Sequence, residues 1–189
     1  MDKIDSIVTE ILDLYRKFGN NDYIGEPVSQ LEHMSQAAQL AINEGLDDEV
    51  VLAAFFHDIG HLCVERTPEN DMNGLGIESH EGVGAQFLRE RGFSERVIRL
   101  IENHVNAKRY LTWRYPEYHA SLSKASQETL KLQGGVMSDD EALLFESDPL
   151  FEMSIRLRRW DELAKIENVP TIDINIIAEK IRNVLTTKR

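Results

Sequence analysis

The sequence contains only one cysteine, Cys63, among its 189 residues. An internal disulfide is therefore impossible, and a metal site built from several thiolates is excluded. Long apolar runs are also missing, since none approaches the roughly 18 residues needed to cross a bilayer. The opening stretch MDKIDSIVTEILDLYRKFG mixes acidic and apolar residues, unlike the basic and then apolar order of a signal peptide. These absences predict a cytoplasmic protein with no membrane partner.

The sequence has few basic residues: 21 lysines and arginines against 33 acidic residues, which gives a formal net charge of −12. No dense run of basic residues is present to follow a phosphate backbone, so nucleic acid is not an expected partner. A small anion can still bind where a few positive groups or metal ions converge, because surface charge is screened beyond about 8 Å. The net charge therefore restricts the size of a partner more than its sign.

Apolar residues recur at the three- and four-residue spacing of amphipathic helices, and alternating strand patterns are nearly absent. The predicted fold is an all-α, single helical domain over residues 1–189. Helices are predicted at about 4–19, 28–43, 47–61, 79–92, 94–110, 119–132, 139–146, 150–166 and 173–186. Ser79 and Ser94 are expected to cap the helices that they precede, and residues 62–78 are expected to form a long loop.

The stretch FFHDIGH places His57 directly before Asp58. If both lie on a helix, their side chains point about 100° apart. A carboxylate has two oxygens and can bridge two cations, whereas an imidazole serves one, so Asp58 is the natural bridge. His61 is expected one turn beyond His57, on the same side. Among the other histidines, only His119 falls in a loop-like, polar surround.

Further candidate ligands are scattered along the chain at positions compatible with helices: His33, His80, His104 and Asp161. Any one of these histidines alone is better explained as a hydrogen-bonded core residue than as a ligand. Together they favour a metal site, because imidazole and carboxylate groups are the ligand set suited to iron, manganese, zinc or nickel. Asp161 sits in an apolar and basic segment, where a buried carboxylate needs a strong positive partner.

The order His, His-Asp, His, His, Asp is similar to that of the HD-domain superfamily in its two-metal form. Most members of that superfamily hydrolyse phosphate esters, and a smaller branch consists of mixed-valent diiron oxygenases. The chain resembles the phosphonate-cleaving members of that branch nearly end to end. The matching segments are DYIGEPVSQLEH, AAFFHDIGH, ESHEGVGAQFLRERGFSERV, ENHVNAKRYL, SKASQETLKLQGGVMS and RRWDE.

The resemblance implies two iron ions, Fe(II) and Fe(III), in the core of a single HD-domain helical bundle. It assigns one iron to His33, His57, Asp58 and Asp161, and the other to His80 and His104 with Asp58 as the bridge. Tyr23 would occupy an open position on the second iron when substrate is absent. Glu26 would lie behind Tyr23 and help to recognise a substrate amine.

Two basic residues are placed by their spacing beside the proposed ligands. Lys108 lies four residues after His104, and Arg158 lies three residues before Asp161. A solvated charged face is the alternative explanation for Arg158. The resemblance assigns both residues to a substrate phosphonate group, together with His61 and Ser126, and Thr129 and Gln133 are further candidates.

The implied function is O2-dependent cleavage of the carbon–phosphorus bond of a 1-hydroxyphosphonate, with Tyr23, Glu26, His61 and Lys108 as active residues. The predicted substrate is 2-amino-1-hydroxyethylphosphonate, converted to glycine and phosphate. The trimethylammonio analogue is an alternative, for which the aromatic residues of TWRYPEY (Trp113, Tyr115 and Tyr118) are a conceivable surround. The same ligand order is also compatible with an HD phosphohydrolase or with a catalytically idle HD module.

Overall fold

The computed structural model describes residues 2–23 and 25–187, and this part of the chain is built from helices. Within it, two isolated β-bridges, Asp22 with Ser29 and Asp71 with Ile77, are the only extended pairings. The prediction of an all-α fold is confirmed. The helices are α1 (Lys3–Phe18), α2 (Gln30–Asn43), α3 (Asp48–Phe56), α4 (Gly60–Cys63), α5 (His80–Glu90), α6 (Glu95–Arg114), α7 (Pro116–Ser121), α8 (Lys124–Leu132), α9 (Asp139–Glu146), α10 (Phe151–Leu163) and α11 (Ile174–Thr187).

Side-chain caps fix the start of several helices. Ser29 and Glu32 form a reciprocal capping box, so α2 begins at Gln30 and not at the predicted residue 28. Ser94 accepts a hydrogen bond from the Val97 amide and caps α6 as expected. Ser79 precedes α5, but the prediction that it caps this helix is wrong. Its backbone is left-handed, with φ of 54°, and its side chain makes no capping bond.

The predicted helix over residues 47–61 is interrupted. α3 ends at Phe56, residues 57–59 form a turn, and the short α4 begins at Gly60. His57 and Asp58 therefore lie in a turn between two helices and not on one continuous helix.

The predicted helix over residues 119–132 is two helices. Pro116 occupies the first turn of α7, where its missing amide hydrogen is not needed. α7 then ends at Ser121, and Ser123 caps α8. His119 lies within α7, half-buried, and not in a loop.

The main core joins α1, α2, α3, α5, α6, α10 and α11 around fully buried side chains that include Phe55, Phe56, Leu100 and Leu157. Burial of each large apolar side chain stabilises the fold by about 1.5–3 kcal/mol. A smaller apolar cluster lies around Tyr110 and Phe145, beneath α9. No helix in residues 2–23 and 25–187 is both long and apolar enough to span a membrane. The single-domain assignment stays a prediction.

Candidate dinuclear metal site and adjoining cavity

The turn that carries His57 and Asp58 is held against the start of α5 by glycine. A Cβ atom added to Gly60 would lie 1.9 Å from the His80 carbonyl oxygen and 3.0 Å from the Gly84 amide nitrogen. Both contacts are with backbone, so a side chain has no room at this position. The close approach brings the Asp58 carboxylate beside the His80 ring.

One group of donor atoms is formed by His33, His57, Asp58 and Asp161, all buried. The His33 and His57 Nε2 atoms are 3.0 Å apart. The Asp58 Oδ2 atom lies 3.6 and 3.4 Å from these two nitrogens, and the Asp161 Oδ1 atom lies 3.4 and 3.9 Å from them. Donors bonded to one cation at about 2.0–2.2 Å have such separations. The four side chains therefore fit around one metal ion.

The hydrogen bonds of the His33 and His57 rings also favour a cation between them. The Nδ1 atoms of His33 and His57 lie 2.9 and 2.8 Å from the carbonyl oxygens of Ala164 and Ala54. If each Nδ1 donates its hydrogen there, the two Nε2 lone pairs face one another and need positive charge between them. Asp161 Oδ1 is buried and has no hydrogen-bond partner among the described residues.

The charges around His57 favour a positive charge on its ring. Burial opposes protonation of His57, but the carboxylates of Asp58 and Asp161 outweigh burial and raise the pKa of His57 to about 9. The pKa values of the two carboxyl groups are held well below the usual range despite their burial, chiefly by His57 for Asp58 and by Arg158 for Asp161. The cluster thus favours positive charge at its centre, which a bound metal ion would supply.

A second group of donors is formed by His80, His104 and the other oxygen of Asp58. The two Nε2 atoms are 3.1 Å apart, and Asp58 Oδ1 lies 3.2 Å from His80 and 3.3 Å from His104. His104 Nδ1 is anchored 2.6 Å from the Ile101 carbonyl oxygen. Because Oδ1 faces this group and Oδ2 faces the first, Asp58 is placed to bridge two metal ions.

His61 lies beside the second group and in α4. Its Nδ1 accepts a hydrogen bond from the Ile77 amide at 3.1 Å, and its ring stacks on His80 with 4.2 Å between centroids. The neutral ring therefore carries its hydrogen on Nε2, and burial lowers the pKa of His61 to about 3. His61 is close enough to Asp58 and His80 to form an alternative ligand set. Its tautomer instead makes it a hydrogen-bond donor.

Tyr23 covers the first group of donors. Its ring stacks on His33 at 4.0 Å between centroids, with an interplanar angle of 12°. Burial, with the nearby carboxylates of Asp58 and Asp161, raises the pKa of Tyr23 well above 10. The turn that follows is closed by a 2.9 Å bond from the Glu26 amide to the Tyr23 carbonyl oxygen. Metal coordination by Tyr23 stays a prediction.

A cavity of about 60 Å³ opens beside the two donor groups. Every residue predicted to act on substrate lines this cavity: Tyr23, Glu26, His61, Lys108, Ser126, Thr129, Gln133 and Arg158. Their side chains come from α4, α6, α8 and the residue that follows it, α10 and the loop before α2. Gln30 also lines it and was not predicted from the sequence.

Lys108 and Arg158, the two basic residues that line the cavity, are buried. The burial of Arg158 excludes the solvated charged face considered for it. Lys108 donates to Thr129 at 3.0 Å. Burial, followed by repulsion from Arg158, lowers the pKa of Lys108 to about 7. The Arg158 guanidinium binds Asp161 and donates to Glu162 at 2.9 Å, while its buried Nη2 has no partner within residues 2–23 and 25–187. A small anion would satisfy this nitrogen.

Glu26 is already engaged at the edge of the cavity. Its Oε1 accepts from Ser123 at 2.5 Å and from Lys165 at 2.6 Å. Lys165 was not found from the sequence, because it is 139 positions from Glu26 and belongs to no local pattern.

In the described part of the chain, the aromatic residues considered as a surround for a trimethylammonium group lie outside this cavity. Among the described residues that line the cavity, none of Trp113, Tyr115 and Tyr118 is found. Trp113 donates to Asp139 at 2.8 Å, Tyr115 is exposed, and Tyr118 packs outside the cavity against Arg158 and Glu162.

The HD domain family model matches residues 30–148, more than half of the chain. The chain therefore belongs to the HD domain family. It is 38% identical over 178 residues to hydroxymethylphosphonate dioxygenase of Gimesia maris, covering 94% of this chain and 88% of that protein. It is also 38% identical over 168 residues to [1-hydroxy-2-(trimethylamino)ethyl]phosphonate dioxygenase (glycine-betaine-forming) of Leisingera caerulea, covering 89% and 85% of the two chains.

Another relative, protein L432 of Acanthamoeba polyphaga mimivirus, is 43% identical over 192 residues, with 97% of this chain and 88% of that protein covered. The similarity to the two dioxygenases spans about nine-tenths of the chain. The resemblance to the phosphonate-cleaving HD oxygenases is thereby confirmed.

Proposed function

We propose that this protein is an iron-dependent dioxygenase that cleaves the carbon–phosphorus bond of a 1-hydroxyphosphonate. The observation that carries the proposal is the joining of two buried donor groups through Asp58, directly beside a cavity lined by Lys108 and Arg158. The two related dioxygenases, whose names specify hydroxyphosphonates, support it.

The donor atoms fit two metal ions, which we propose to be Fe(II) and Fe(III). His33, His57, Asp58 and Asp161 would hold one ion, and His80, His104 and Asp58 the other. When bound, the pair would supply Lewis-acid and one-electron redox chemistry toward O2. Imidazole and carboxylate ligands suit several transition metals, so the choice of iron rests on the relatives.

The cavity residues would bind and orient the phosphonate group. The buried ammonium of Lys108 and guanidinium of Arg158 offer charge-assisted hydrogen bonds to phosphonate oxygens. The neutral His61 presents Nε2–H, and Ser126 and Thr129 present hydroxyl groups. Fixing the phosphonate in this way would hold the substrate C1 and its hydroxyl against the metal site and exclude water from it.

The overall reaction balances without a further reductant. A 1-hydroxyphosphonate and one O2 give a carboxylic acid and phosphate. The C1–H and C1–P bonds break, and C1 and phosphorus each gain one oxygen atom from O2. Carbon and phosphorus supply all four electrons that reduce O2, so the mixed-valent pair would return to its starting state.

At the other end of the substrate, we propose Glu26 as the group that meets a primary ammonium, which gives 2-amino-1-hydroxyethylphosphonate as the substrate and glycine as a product. Glu26 would then exchange or share its Lys165 partner. The trimethylammonio analogue is the alternative, supported by the relative from Leisingera caerulea. We also propose a cytoplasmic location.

Phosphate release tests the proposal. The purified, iron-loaded protein should release phosphate from a 1-hydroxyphosphonate in air, with one O2 consumed per phosphate, and should release none under strict anaerobiosis. A phosphomonoester serves as the matched control. Anaerobic phosphate release from the ester, with no activity on hydroxyphosphonates, would instead establish a phosphohydrolase.

A further inference from the structure

His80 differs from the other three histidines of the metal site in how its Nδ1 is held. In His33, His57 and His104 this atom lies 2.6–2.9 Å from a backbone carbonyl oxygen. The Nδ1 of His80 is buried and has no hydrogen-bond partner among the described residues. Of the four rings, His80 alone thus lacks a fixed tautomer.

The nearest charged group to this nitrogen is the carboxylate of Glu81. Its Oε2 lies 3.5 Å from His80 Nδ1, and it too is buried without a hydrogen-bond partner in the described part of the chain. Two unsatisfied buried atoms, one able to donate and the other to accept, therefore face one another at slightly more than hydrogen-bond distance.

The backbone holds this pair firmly. The His80 carbonyl is in close contact with Gly60, and Gly84 packs on Ile59 one turn further along α5. Glu81 also lies in the first turn of α5, where the helix dipole stabilises a negative charge. A small movement of the two side chains is enough to close the gap.

Resting on the proposed metal site, we propose that Glu81 is a positioning residue for the second metal ion. Its carboxylate accepts the Nδ1 hydrogen of His80, fixes Nε2 as the metal-binding nitrogen and makes the ring a stronger electron donor. Carboxylate–histidine–metal arrangements act in this way, and the loss of such a partner weakens metal binding by about 10- to 100-fold. The Nδ1 atoms of His33, His57 and His104 contact neutral carbonyl oxygens, so among the described residues this effect is confined to His80 in the second donor group.

Metal affinity tests the proposal without reference to catalysis. Metal-free wild type, Glu81→Gln and Glu81→Ala would be titrated anaerobically with Fe(II) against a competing chelator. Glu81→Ala should weaken one of two metal equivalents by about 10- to 100-fold and leave the other unchanged. Glu81→Gln should show a smaller loss, because its amide oxygen can accept the hydrogen bond but carries no charge. Glu90→Gln removes an exposed carboxylate from the same helix and should match wild type.

A double-mutant cycle separates positioning from a general structural effect. In a His80→Ala background, Glu81→Ala should cause no further loss of affinity, because its only route to the metal has been removed. Equal weakening of both equivalents, unchanged affinity in Glu81→Ala, or an additive loss in the His80→Ala background would each overturn the proposal. Thermal unfolding of the metal-free variants would identify any loss due to misfolding. Metal titration gives the same answer whether the enzyme proves to be an oxygenase or a hydrolase, so failure of the proposed function would be recognised separately.

Discussion

The ionisation of Lys108 should make the activity of the proposed enzyme depend on pH. Burial, with repulsion from Arg158, lowers its pKa from 10.5 to about 7. A lysine binds a phosphonate dianion in its charged form, which predominates below this pKa and is lost as the pH rises through it. In the iron-loaded enzyme, kcat/KM should therefore fall as the pH rises through the pKa of Lys108, by about tenfold per pH unit, until the remaining contacts set a floor.

Two substitutions isolate the contribution of Lys108. Lys108→Arg carries a permanent charge, so its profile should lack the alkaline decline. Lys108→Met removes the charge at every pH. A hydrogen bond to a charged group is worth about 1.5–3 kcal/mol, so kcat/KM near neutrality should drop roughly 10- to 150-fold.

The assay is initial-rate phosphate release by the iron-loaded protein over the neutral and mildly alkaline range, at substrate concentrations below KM. Ionisation of the substrate itself affects all three proteins alike, so the comparison cancels it. An alkaline decline that persists with the same midpoint in Lys108→Arg would refute the assignment of this pKa to Lys108.

Other substitutions test the metal site and its supports. Asp58→Ala should abolish binding of both metal ions, whereas His33→Ala should remove one, as measured by metal content after dialysis; equal losses would contradict the bridging role. Gly60→Ala should lower the free energy of unfolding by about 1–3 kcal/mol or more in urea denaturation, because its Cβ has no room against backbone; wild-type stability would refute this packing. Gly76→Ala should lower kcat/KM by a larger factor than it lowers the fraction of folded protein, because its Cβ would lie 2.6 Å from the His61 ring at a φ of 116°. An unchanged kcat/KM would argue against a role for His61. Tyr23→Phe should alter the electron paramagnetic resonance spectrum of the iron-loaded protein only in the absence of substrate, and an unaltered spectrum would exclude coordination by Tyr23.

The residues of the two donor groups could be predicted from the sequence, because histidine and aspartate are candidate metal ligands by residue type. The sequence is less informative about the turn that carries two of them. Residues 50–56 of α3 are all buried, so this segment has no polar face whose periodicity could stop at Phe56. The pattern therefore runs on into α4 and predicts a helix where His57 and Asp58 form a turn.

The supporting contacts are hidden from sequence for a different reason. Lys165 reaches Glu26 across 139 positions, and Gln30 has no feature that separates it from a surface glutamine. Glu81 follows a predicted ligand directly in sequence, yet neighbouring positions on a helix do not face each other, so their spacing predicts no contact between them. Only the orientation of the side chains at the start of α5 brings its carboxylate toward the His80 ring.

The shifted pKa values divide the site into two electrostatic regions. On the donor side, Asp58 and Asp161 contribute to raising the pKa of His57 and of Tyr23, so positive charge is favoured there. On the cavity side, burial and Arg158 lower the pKa of Lys108, so further positive charge is disfavoured and an anion is favoured. An acidic protein with a net charge of −12 can thus hold cations and a phosphonate dianion side by side. The same arrangement explains why the metals and the substrate should support each other: bound cations would neutralise the carboxylates, and the dianion would then meet a cavity that is positive on both sides.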